Sequence, residues 1–137
     1  MIDLLDVYEL AELEQVQVVC FDLDCEALSQ IGQSGQCYIA MDPFRLKSTA
    51  EEKVKLAHEL GHCATWSFYD QRCHVLTRNK CEHTATRWAI KKLVPKDELE
   101  KAVEQGRTEP WELAEHFGIT EQFMHQAIRY YNECVIY

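Results

Sequence analysis

Apolar positions change their period along this chain, and the changes mark out its elements. In the first dozen residues Leu4, Leu5, Tyr8 and Ala11 recur at helical spacing with acidic residues between them, which predicts a helix. Val16 to Phe21 is rich in β-branched residues and reads as a strand. The polar stretch from Gln30 to Gly35, with two glycines, reads as a turn, and Cys37 to Met41 as a second strand ended by Asp42-Pro43. The front third is therefore expected to be a helix followed by a small antiparallel sheet.

From Ser48 onward the period is helical. Ser48 with Glu51, and Thr49 with Glu52, both fit a capping box at a helix start. The segment to about Thr65 carries Leu56, Leu60, Cys63 and Ala64 at helical spacing. Trp66 to Lys80 is less regular and reads as a loop. A helix then runs from about Cys81 to Leu93 and stops before Pro95. Asp97 with Glu100 opens a short helix to Gly106. Thr108-Glu109-Pro110 opens another through Phe117, which Gly118 closes. Thr120 caps a last helix whose buried stripe is Phe123, Met124, Ala127, Ile128 and Tyr131. No repeat or Gly/Ser linker interrupts this order, so residues 1–137 read as one domain: helix and sheet in 1–47, paired helices in 48–95, and a helical part in 96–137.

Composition narrows the function classes. The chain has 14 basic and 23 acidic residues, a formal charge of −9, and direct nucleic-acid binding is not expected of such a surface. The longest apolar run is far too short for a membrane span, and the N-terminus carries Asp3, Asp6 and Glu9 where a secretory signal would be basic and then apolar. A cytoplasmic protein is the expectation. The seven cysteines are odd in number and contain no CxxC pair, which suits free buried thiols better than a disulfide scaffold.

Within the first long helix stands His58-Glu59-Leu60-Gly61-His62. Residues four apart share a helix face, so both imidazoles can reach one metal ion. Glu59 is one residue round from His58, awkward as a ligand but placed to take a proton from water that zinc has acidified. That is peptide-hydrolysis chemistry. The plain alternative is an amphipathic helix with two ordinary histidines. A catalytic zinc also needs a third protein ligand. The metzincin extension would place Gly at 65 and His at 68, where this chain has Thr65 and Phe68, so that class is excluded. Glu82, twenty residues after His62, is the candidate from a second helix, and Thr86, one turn on, could orient a ligand histidine. Tyr69 or His74 could stabilise an oxyanion. Cys73, His74, Cys81 and His83 could instead suggest a closed Cys/His site, but its paired spacing is missing.

Residues Thr49 through Cys63, and Cys81-Glu82 through Trp88-Ala89-Ile90-Lys91-Lys92-Leu93-Val94-Pro95, resemble the ImmA/IrrE-type metallo-endopeptidases. The stretch Tyr38-Ile39-Ala40-Met41-Asp42-Pro43 is similar to members from phages and mobile elements of Gram-positive bacteria. The resemblance implies one zinc per chain held by His58, His62 and Glu82, with Glu59 catalytic. It also implies a protein substrate, since such proteins often cleave a phage or mobile-element repressor. One departure stands out: where the family usually has Asp or Asn four residues after the ligand glutamate, this chain has Thr86.

The expected fold is α+β: a small antiparallel sheet beside a two-helix, gluzincin-like zinc site, with a helical C-terminal part. The strand Tyr38, Ile39, Ala40 and Met41 is a candidate for pairing with an extended substrate. The second reading is a non-proteolytic binding module with a structural metal. There the last two helices, with Ala114, Gly118 and Met124 near helix-turn-helix positions, would carry the function.

Overall fold

The computed structural model describes residues 1–70 and 72–135, the side chains of 134 and 135 excepted. The order is α1 (Leu4–Leu13), β1 (Gln17–Cys20), β2 (Ala27–Ile31), β3 (Cys37–Met41), α2 (Thr49–Thr65), α3 (Val75–Leu93), α4 (Lys96–Glu104), α5 (Pro110–Phe117) and α6 (Glu121–Val135). The fold is α+β.

Asp3 and Asp6 cap α1 reciprocally, each carboxylate accepting the other's backbone N–H. The face of α1 that packs inward is Val7 and Ala11, with Leu4, Tyr8 and Leu10 beside them. Leu5, expected in that stripe, points outward and is 71% exposed.

The sheet differs from expectation in two ways. It has three strands in the order β1-β3-β2, and it is mixed: β1 runs parallel to β3, and β2 antiparallel to it. The unexpected strand is Ala27–Ile31, whose sequence has little β-branched character and which is held by its pairing with β3. The turn is correspondingly shorter, closed by Gly32 N–H donating to Gln36 O and passing through Gly35 at φ +82°. β3 is the middle strand, with Ile39 and Met41 fully inside the core. Both its edges are paired, so Tyr38, Ile39, Ala40 and Met41 have no free backbone edge for a substrate. The expectation that this strand receives one is corrected.

α2 starts as expected. Ser48 Oγ accepts from Glu51 N–H, although Glu51 reaches back to the N–H of Lys47 and not of Ser48. Leu56, Ala57 and Leu60 of α2 join β3 in a core that continues through Ala89, Ile90 and Leu93 of α3 to Phe117, Phe123 and Met124. Buried Lys53 donates to Phe117 O at 2.6 Å, tying α2 to the C-terminal end of α5. Gly118 closes α5 in the left-handed region, Thr120 Oγ accepts from Phe123 N–H at the start of α6, and Tyr131 OH donates to Val94 O. Among the described residues, no helix is long and apolar enough to cross a membrane.

α3 begins at Val75, six residues before the expected start, with His74 as its N-cap accepting from Leu76 N–H. Its first two turns present Thr77, Asn79 and Lys80 to solvent, and this polar face mimics a loop in the sequence. The cysteine expectation also fails in part. Cys37 at the start of β3 and Cys63 in the last turn of α2 form a disulfide, while Cys20 and Cys25 are exposed thiols. Where the bond forms, closing a loop of 26 residues is worth about 3.5 kcal/mol in the chain-entropy account, and a reducing compartment removes that contribution. The Cys134 side chain lies outside the described residues.

Asp42 anchors the corner after β3. Its buried carboxylate accepts from Leu23 N–H at 2.9 Å and Phe44 N–H at 3.1 Å, with Arg45 Nε at 3.3 Å. The Leu23 hydrogen bond leads in holding its pKa below the ordinary 3.8, against the effect of burial. A carboxylate of this kind stabilises the fold above its unfolded pKa and loses that contribution as pH falls through the folded value. Asp42→Asn should therefore melt lower than wild type at pH 7, with the gap narrowing as pH drops below about 3.8. Thermal melts at pH 7 and pH 3 would test this; a gap independent of pH contradicts it.

Candidate metal centre

The decisive local feature is how closely α2 and α3 cross. A Cβ built on Gly61 would sit 2.5 Å from Ala85 O and 3.1 Å from Ala85 Cα, so only glycine permits this approach. Ala85 is itself fully buried. At the crossing, His58 and His62 on α2 face Glu82 on α3, which lies two turns into its helix rather than in the first turn.

His58 Nε2 is 2.7 Å from Glu82 Oε2, and His62 Nε2 is 3.3 Å from the same oxygen. The donor atoms of all three lie within 4.8 Å of one another. His62 Nδ1 is 2.6 Å from Ser67 O, a carbonyl that can only accept, so the proton sits on Nδ1. A neutral His62 therefore points its Nε2 lone pair at a carboxylate oxygen. Two acceptors meeting in this way need positive charge between them, a ring proton or a metal ion, and two imidazoles with a carboxylate form a donor set that suits zinc. The residues fit the metal.

Each donor is held from behind. Trp66 takes the left-handed conformation at φ 54° just after α2, and the returning chain delivers Ser67 O to His62. Thr86 Oγ1 is 3.3 Å from His58 Nδ1. Tyr69 OH donates to Glu82 Oε1 at 2.6 Å. A proton on the His62 ring supplies the same positive charge, and the pKa values move accordingly. Burial pushes the His62 ring toward its neutral form, yet the Glu82 carboxylate and the Ser67 carbonyl outweigh it and leave the pKa raised. Hydrogen bonds from His58, then His62, hold Glu82 well below the usual carboxylate range. The Glu82 hydrogen bond pushes the Tyr69 phenol up to about 12.

Glu59 lines a cleft of about 700 Å³ together with His58 and Glu82. Its walls are Asp24 to Ala27, at the start of β2, and Phe44 and Arg45 from the Asp42 corner. Ser67 carries no signal in the sequence; only the turn after Thr65 makes it a partner of His62. Among the other candidates, Tyr69 reaches the site, whereas His74 is exposed and its ring caps α3. Cys73, Cys81 and His83 form no metal-holding group among the described residues, and Cys81 Sγ donates to Phe68 O.

The profile of one protein family, peptidase M78 (IrrE N-terminal-like domain), matches residues 45–129, a span from just before α2 to well into α6. The chain belongs to that family. Its function is thus of metallopeptidase type, and the family's substrates are proteins. No curated protein matches the chain.

Gly61→Ala tests the crossing. Helix propensity alone favours alanine by about 1 kcal/mol. Crowding against the Ala85 backbone, which has no flexible end to yield, should reverse the sign and cost about 1–3 kcal/mol net. The variant should melt lower and bind zinc more weakly in a chelator competition titration. Higher stability with unchanged affinity would show that the helices do not need to meet this closely.

Proposed function

We propose that this chain is a zinc-dependent endopeptidase that cleaves one specific protein partner, with His58, His62 and Glu82 as ligands and Glu59 as general base. The observation that carries the reading is the convergence of the three donors on one point beside a cleft that Glu59 also lines. Zinc held there would supply Lewis acidity for acidifying water and polarising a peptide carbonyl. Glu59 takes the proton of the attacking water on its carboxylate and returns it to the leaving amine nitrogen. Ser67 O fixes the His62 tautomer, Thr86 steadies the His58 ring, and Tyr69 orients Glu82.

Substrate pairing passes from β3 to β2. Of its neighbours in the sheet, β2 pairs only with β3 among the described residues, and Ala27 lies on the cleft wall with His58 and Glu59. An extended peptide adding to that edge would run past the catalytic carboxylate. Resemblance to repressor-cleaving relatives makes a phage or mobile-element transcriptional repressor the partner class we assign. The cytoplasm, where such a repressor works, is the matching compartment.

Glu59→Gln separates this reading from a binding module with a structural metal. We expect the variant to keep its zinc and to lose cleavage by at least a hundredfold, measured as metal content and as turnover of the partner repressor. Unchanged biological function with metal retained would move the function to the α5–α6 hairpin. The departure at position 86 has its own test. A hydroxyl brings no negative charge to His58, so Thr86→Asp should tighten zinc by about tenfold or raise turnover. No change in either would remove Thr86 from the account.

A further inference from the structure

We propose that the groove between α3 and α6 is a docking subsite for an acidic segment of the protein substrate, continuous with the catalytic cleft. Positive charge is unevenly placed along the chain. The protein carries −9 overall, yet α3 holds five of its 14 Lys and Arg and one of its 23 Asp and Glu, that one being Glu82. Lys80 and Arg87 stand two helical turns apart and line the groove on the α3 side, and Arg129 lines it from α6. All three are exposed, and among the described residues none is ion-paired.

The groove is about 710 Å³, with Leu76, Ile90 and Tyr130 as apolar lining between the cations. Its neighbour, a cleft of about 570 Å³, contains His58 and Glu82 and shares His83, Thr86 and Gln126 with it. A chain bound across the metal centre therefore has a direct path into the basic groove. Charge complementarity selects the occupant, since an acidic segment is repelled by most of this surface and attracted here. The apolar lining suits side chains such as Leu between the acids. Duplex DNA is disfavoured: Glu133 lies in the groove, Glu82 lies just beyond it, and three cations do not make the stripe that phosphates need.

This proposal rests on the peptidase reading for the identity of the occupant, but binding can be measured separately from cleavage. The probe is a fluorescein-labelled twelve-residue peptide alternating Asp/Glu pairs with Leu, titrated by anisotropy with full-length zinc-loaded Glu59→Gln protein. A matched peptide with Lys for every acid is the control. We expect the acidic peptide to bind in a salt-sensitive way and the basic one not to. Arg87→Glu with Arg129→Glu should weaken binding about tenfold, while Lys101→Glu on the remote α4 should leave it unchanged. Circular dichroism spectra must match across the variants, and Arg87→Gln with Arg129→Gln provides a milder pair should reversal disturb the fold.

Equal binding of the two peptides, no binding of the acidic one, or indifference to both pairs overturns the proposal. So does a 20-base-pair duplex that displaces the acidic peptide and is itself lost on charge reversal. Where wild type cleaves its partner, the same pair should raise KM with kcat unchanged. Absence of any cleavage would defeat the peptidase reading while leaving the anisotropy result to stand or fall by itself.

Discussion

Two helices pass so close at Gly61 and Ala85 that no side chain fits between their backbones. Everything at the site follows from that contact. It sets α3 at a distance where a carboxylate one turn before Ala85 meets both imidazoles of α2. The core on either side, Leu56 and Leu60 against Ala89, Ile90 and Leu93, holds the crossing in place by burying apolar surface that neither helix could cover alone. Packing thus brings the three donors of the proposed metal centre together.

The surrounding polar groups resolve a problem that packing creates. Bringing a carboxylate and two imidazole lone pairs together, partly out of water, costs free energy unless positive charge is shared among them. Ser67 O decides which His62 nitrogen faces inward, and Tyr69 OH occupies the Glu82 oxygen that the histidines do not use. The same logic explains the basic face of α3. Its one acid is spent on the site, and its exposed cations stand where an otherwise acidic protein can attract rather than repel a peptide.

Much of this was legible in the sequence because it depends on local spacing. The HExxH pattern fixes its geometry within one helix turn, and Ser48, Pro110, Gly118 and Thr120 announce helix ends through their own backbone chemistry. What the sequence concealed depends on long-range pairing. Ala27–Ile31 becomes a strand only because β3 offers it a ladder, and the parallel partnership of β1 with β3 follows from the path of the chain. With β3 in the middle, the strand that looked suited to a substrate is closed on both sides. The early start of α3 was hidden by its solvent-facing polar residues. The Cys37–Cys63 bond joins a strand start to a helix end, a proximity that no residue spacing encodes.

The central claim is that Glu82, from the second helix, completes the metal site that the two histidines begin. Zinc content of purified wild type and Glu82→Ala, measured by mass spectrometry alongside far-ultraviolet circular dichroism, tests it most directly. One zinc per chain is expected in wild type and its loss in the variant, with helical content preserved. Equal zinc in both proteins, or none in wild type after reloading, would contradict it.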